Sequence, residues 1–154
     1  MNAHTFTANT IEDLVKSVWY WQRLNPNIEI DNTNLVGLNY TINFTNRFPQ
    51  TIVNPGDLVI HCAFWGINNI WTDVRNILVG NINLASNTLT QLISFVVLGD
   101  NPHGIVKNLY VCYSYGSNVH MIVCNEQHNR TLTISALGAK ENTHLPGLDF
   151  ISYP

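Results

Sequence analysis

LYVCYSYGSNVHMIVCNEQHN, residues 109–129, carries the most informative pattern in this chain. It opens with a short apolar run, Leu109 to Tyr113, of the length and composition of a buried strand. Ser114 follows at once, then Tyr115 and Gly116, and then Val119, Ile122 and Val123 at helical spacing. Strand, Ser-x-Gly, helix is the layout in which a sharp turn lifts a serine hydroxyl above a sheet as a nucleophile. Gly116 suits such a turn because it lacks a Cβ. The triplet alone is common, so the reading depends on what surrounds it.

The chain before this stretch supplies the context. Ile11, Leu14, Val15, Val18 and Trp19 form a one-sided helical stripe, with Thr10 and Asp13 as a capping pair. Proline disfavours helix in the residue before it, so this helix is predicted to end near Asn25-Pro26. Residues 1–9 read as a polar lead-in. Leu38, Tyr40, Ile42 and Phe44 alternate with polar residues and predict a strand with one wet face, towards a sheet edge. Asn54-Pro55-Gly56-Asp57 is a turn, and Leu58 to Phe64 is a nearly continuous apolar strand buried on both faces.

Ile70, Trp71, Val74, Ile77 and Leu78 predict a helix over 70–79, and Leu89, Leu92, Ile93, Val96 and Val97 predict another over 89–98. Asn101-Pro102-His103-Gly104 is a second turn. Thr131–Leu137 and Asp149–Tyr153 read as two further strands. Helical segments between buried strands point to an α/β fold, a central and largely parallel sheet with helices on both faces. The competing architecture is an all-β sandwich, in which the helices over 70–79 and 89–98 do not exist.

At 154 residues, 45% of them hydrophobic, the chain is read as a single domain, 1–154, with a real core. A net charge of −3 without a Lys/Arg cluster argues against a nucleic-acid footprint. No run of about 18 apolar residues is present, and no basic and apolar leader opens the sequence. The expectation is a soluble, cytoplasmic protein without a transmembrane segment. Cys62, Cys112 and Cys124 are widely spaced and read as buried reduced thiols. Cys112, His120 and Cys124 match no compact zinc spacing, so neither metal nor cofactor is expected.

Two stretches together resemble the α/β-hydrolase superfamily, and within it the class 3 lipases. Leu58-Val59-Ile60-His61-Cys62-Ala63-Phe64-Trp65-Gly66-Ile67-Asn68-Asn69 is similar to that family's oxyanion strand, VVxAFRGTNS. Leu109 to Asn118 is similar to its nucleophile segment, VTGHSLGGN. The likeness covers roughly residues 56–140. The family's Arg is Trp65 here, its Thr is Ile67, its first elbow glycine is Cys112 and its second is Ser117.

The resemblance implies an α/β-hydrolase-like fold and acyl hydrolysis of a small-molecule or lipid ester, or a catalytically decayed relative of such an enzyme. Ser114 would be the nucleophile, and the backbone N–H groups of Tyr115 and of Gly66 or Ile67 would hold the oxyanion. Trp65 and Tyr113 would line the substrate pocket. In a parallel sheet the base must reach the carboxyl edge of the strands, which selects His144, with Glu141 or Asp149 as its acid. His61, within a strand, is set aside on that ground. The alternative is a non-catalytic binding or assembly module that uses exposed Trp and Tyr surfaces, with homo-oligomerisation open in either case.

Overall fold

The computed structural model describes residues 2–47, 56–126, 130–142 and 151–153. Strand β1 (Asn2–Thr7), helix α1 (Ile11–Leu24), β2 (Ile28–Val36) and β3 (Asn39–Asn46) come first. They are followed by β4 (Leu58–Ile67), β5 (Ile70–Asp73), α2 (Arg75–Gly80), β6 (Ile82–Asn83), β7 (Thr88–Ile93) and α3 (Phe95–Leu98). Strands β8 (Asn108–Tyr115), β9 (Asn118–Asn125), β10 (Arg130–Ser135), β11 (Gly138–Asn142) and β12 (Ile151–Tyr153) complete the order.

Among the described residues the strands form three sheets with orders β1-β3-β2, β12-β9-β8-β4-β5 and β11-β10-β7-β6, and every pairing is antiparallel. The five-stranded sheet is the middle layer. On one face Leu58, Ile60, Ala63, Trp65, Leu109, Val111 and Tyr113 pack with Leu89, Ile93, Leu132 and Ile134 of the four-stranded sheet. On the other, Cys62, Phe64, Cys112, Val119 and Met121 pack with Leu14, Val15 and Val18 of α1 and with Tyr40 and Ile42 of β3. Burial on both faces is why Leu58–Trp65 and Leu109–Ser114 lack the alternation of a half-wet strand.

The parallel α/β architecture is therefore not that of this chain. β4 and β8 run antiparallel, with Leu58 opposite Tyr115 and Gly66 opposite Asn108. The segment after Gly116 is not a helix, so Ser114 sits on no nucleophile elbow. Gly116 and Ser117 are the two-residue loop of a β8–β9 hairpin, Tyr115 pairing with Asn118. Gly116, at φ +61°, occupies the first central position, where a type II′ hairpin turn calls for glycine. The α/β-hydrolase-like layout implied by the lipase resemblance falls with these two observations.

Other expectations are corrected in detail. The segment 70–79 is strand β5 followed by the short α2, and 89–98 is strand β7 followed by a single turn, α3. The lead-in is strand β1, and β3 lies at the centre of its sheet instead of its edge. Helix α1 is where its stripe placed it, with Thr10 Oγ1 accepting from the Asp13 N–H at 3.2 Å. Residues 54 and 55 of the first turn, and Asp149 of the last strand segment, lie outside the described residues. Among the described residues no helix is long and apolar enough to cross a membrane.

Candidate functional site

The site begins with an irregularity in β4. Ile60 pairs with Tyr113 and Cys62 with Cys112, so His61 is an extra residue, a β-bulge. A bulge switches the parity of a strand. Before it Leu58 and Ile60 face the four-stranded sheet; after it Ala63 and Trp65 do. Backbone groups freed from the ladder at a bulge need other partners. Here the Tyr40 hydroxyl donates to the His61 carbonyl at 2.8 Å, and Arg75 Nε donates to the Ile60 carbonyl at 2.6 Å. Side chains from β3 and α2 thus pin the bulge.

So held, the imidazole of His61 meets Ser114, with Nε2 and Oγ 2.7 Å apart. Both side chains are buried, at 6% and 4% exposure. Enclosure disfavours the charged ring, and the nearby Arg75 adds to this, lowering the His61 pKa from 6.5 to about 3. The imidazole is neutral throughout the physiological range. Its other nitrogen, Nδ1, is buried with no hydrogen-bond partner among the described residues, and so is Gln22 Nε2.

His61, Ser114 and Gln22 all line a cleft of about 610 Å³ between the end of α1 and the Gly116 hairpin. Its volume falls in the range of small-molecule sites. Val59 and Val119 supply apolar wall, and among the described residues Arg47 and Asp57 supply the charged groups. Of these Arg47 is paired with Glu29 at 2.6 Å, and Asp57 is exposed.

The structure scatters the residues that the sequence brought together. His144 and Asp149 lie outside the described residues. Tyr115 is within the ladder, opposite Leu58 and Asn118, and its hydroxyl donates to the Asn87 carbonyl at 2.8 Å. Val59 stands opposite Ser114, whereas Gly66 and Ile67 are seven and eight positions further along β4. At about 3.3 Å per residue that is roughly 20 Å, too far for either N–H to reach an oxyanion on Ser114. Trp65 and Tyr113 face the opposite core; the Trp65 indole donates to the Gly99 carbonyl at 2.7 Å.

The exposed aromatic surface is also reduced. Trp65 is fully buried, Trp19 donates its indole N–H to the Val119 carbonyl, and Trp21 stacks on His4. Only Tyr20, 61% exposed, stands clear among the Trp19-Tyr20-Trp21 triplet.

His61, set aside from the sequence because it lies within a strand, is the histidine that meets Ser114. Its signal is a parity change inside an apolar run, visible only once the register with β8 is known. Comparison with protein-family models, curated proteins and solved structures gives no match for this chain.

Proposed function

We propose that this chain is a non-catalytic binding module whose cleft takes a small, neutral, hydrogen-bonding molecule. One observation carries the reading: the cleft is floored by an imidazole–hydroxyl pair that stays uncharged at neutral pH. Among the described residues that line the cleft, the one cation, Arg47, is paired with Glu29 and the one carboxylate, Asp57, is exposed. Apolar wall with a few convergent polar groups is the usual chemistry of a small-ligand site.

The 2.7 Å Ser114–His61 contact favours a second reading, ester hydrolysis with His61 as the base. Its energetics are poor. A base whose conjugate acid has a pKa of about 3 instead of 6.5 accepts the serine proton at an extra cost of about 5 kcal/mol. No carboxylate holds Nδ1 among the described residues, and removing that group's charge from a working triad costs about 10⁴ in kcat.

Two measurements separate the readings. Neutral fragments such as nicotinamide and 2-pyrrolidinone are titrated into the protein while the His61 ring signals are followed by NMR, with nicotinate as the charged control. Saturable shifts with the neutral fragments and none with nicotinate are expected. A fluorophosphonate probe is expected to leave Ser114 unmodified; labelling lost in Ser114→Ala would overturn the binding reading in favour of the hydrolase.

A further inference from the structure

One register position beyond the bulge, Cys62 of β4 stands directly opposite Cys112 of β8. Both are fully buried beneath α1, and both are reduced. Directly opposed residues on antiparallel strands have Cα atoms about 4.5 or 5.5 Å apart, depending on the kind of pair. Both values lie within the roughly 4.4–6.8 Å that a disulfide spans. The third cysteine is placed differently. Cys124 of β9 stands opposite Leu109 and belongs to the core on the other face of the sheet.

We propose that Cys62 and Cys112 form a redox-modification site, a dithiol that a small hydroperoxide closes to a cross-strand disulfide. The pair is shut in by α1 and β3, which excludes a bulky oxidant such as a glutathione disulfide and leaves a small peroxide as the fitting one.

The sulfur of one cysteine attacks a peroxide oxygen, the O–O bond breaks, and its thiol proton leaves with the departing alkoxide as alcohol, or as water from hydrogen peroxide. The product is a sulfenic acid. The second sulfur attacks the sulfenic sulfur, the S–O bond breaks, and hydroxide leaves with the second thiol proton as water. Two thiols and one hydroperoxide give one disulfide, one alcohol and one water. Burial pushes the Cys112 thiol well above its ordinary pKa, and the neighbouring Cys62 adds to this, so closure is slow at neutral pH.

The full chain is treated with hydrogen peroxide, quenched with catalase, unfolded, alkylated with iodoacetamide and mapped by mass spectrometry. The expected product has lost two hydrogens, carries one alkyl group, on Cys124, and yields a peptide joining Cys62 to Cys112 that dithiothreitol separates. Cys112→Ala is expected to abolish the link. Cys124→Ala, altered in the opposite core, is expected to keep it, so one informative variant remains if the first fails to fold. Three alkylated cysteines after peroxide, sulfinic or sulfonic acid at Cys62 or Cys112 without a link, or a link through Cys124 would each overturn the proposal.

Discussion

Acid is expected to unfold this protein through His61. In the unfolded chain the imidazole takes up a proton near pH 6.5; in the folded chain it resists until about pH 3. Between those values the unfolded state binds more protons, so each step down in pH favours it. The stability associated with a neutral His61 is whole above pH 6.5 and is withdrawn as the pH falls towards 3. At about 1.4 kcal/mol per pH unit the loss reaches about 3 kcal/mol at pH 4.5 and about 4 kcal/mol at pH 3. Small domains have about 5–15 kcal/mol in total, so this one group decides much of the acid limit.

The assay is urea unfolding at half-unit steps from pH 7.5 to 4.5, for the native chain and for His61→Gln. Glutamine keeps a hydrogen bond to Ser114 within reach and does not titrate. His120, whose pKa is lowered by partial burial, and Asp100, held low chiefly by its hydrogen bond to Lys107, titrate in both proteins and cancel in the difference. The difference between the two curves is expected to change by about 3 kcal/mol over this range. Parallel curves, or a His61 ring that titrates near 6.5 in the folded protein, would refute the reasoning.

Other substitutions test the same architecture. Ser114→Ala leaves His61 without a partner on either ring nitrogen among the described residues and is expected to cost about 1–3 kcal/mol in urea unfolding. Arg75→Met removes the donor to the Ile60 carbonyl at the bulge. A loss of about 1–3 kcal/mol is expected, together with a shift of the His61 ring signals, which a merely local defect would leave in place. Gly116→Ala forces a Cβ into a backbone with φ +61° and is expected to lower stability by about 1–2 kcal/mol, with the β8–β9 hairpin the first segment to lose hydrogen-exchange protection.

The parts of the fold legible in the sequence are those determined by near neighbours. Helix α1 announces itself through Thr10 and its apolar stripe, and the buried strands through their unbroken runs. Strand direction is another matter. Residues 119–124 have Val119 and Met121 in one core and Ile122 and Cys124 in the other, so Val119, Ile122 and Val123 imitate helical spacing. Gly116-Ser117 between two apolar runs is a hairpin signal that competes with it.

β7 was disguised by Gln91. The alternation Leu89, Gln91, Ile93 is buried throughout, and Gln91 is tolerated there because its amide accepts from Asn81 Nδ2 at 2.8 Å and donates to the Leu92 carbonyl. Of the site, Ser114 was legible as a serine at the end of a buried strand. His61 was not, because its meeting with Ser114 depends on a bulge, on Tyr40 and on Arg75, all set by contacts distant in the chain.

The extra residue in β4 bears on which chain lengths the fold tolerates. Removing any single residue from an ordinary strand turns everything beyond it inside out. At position 61 the opposite holds. With His61 deleted, Leu58, Val59 and Ile60 would keep their partners Tyr115, Ser114 and Tyr113, and Cys62 to Gly66 would keep Cys112 to Asn108, with no gap between the two groups. A one-residue deletion there is expected to yield a folded chain with a native-like circular dichroism spectrum, whereas deleting Val111 from the facing strand should not. The central sheet can close without His61; the hydrogen-bonding floor of the cleft cannot.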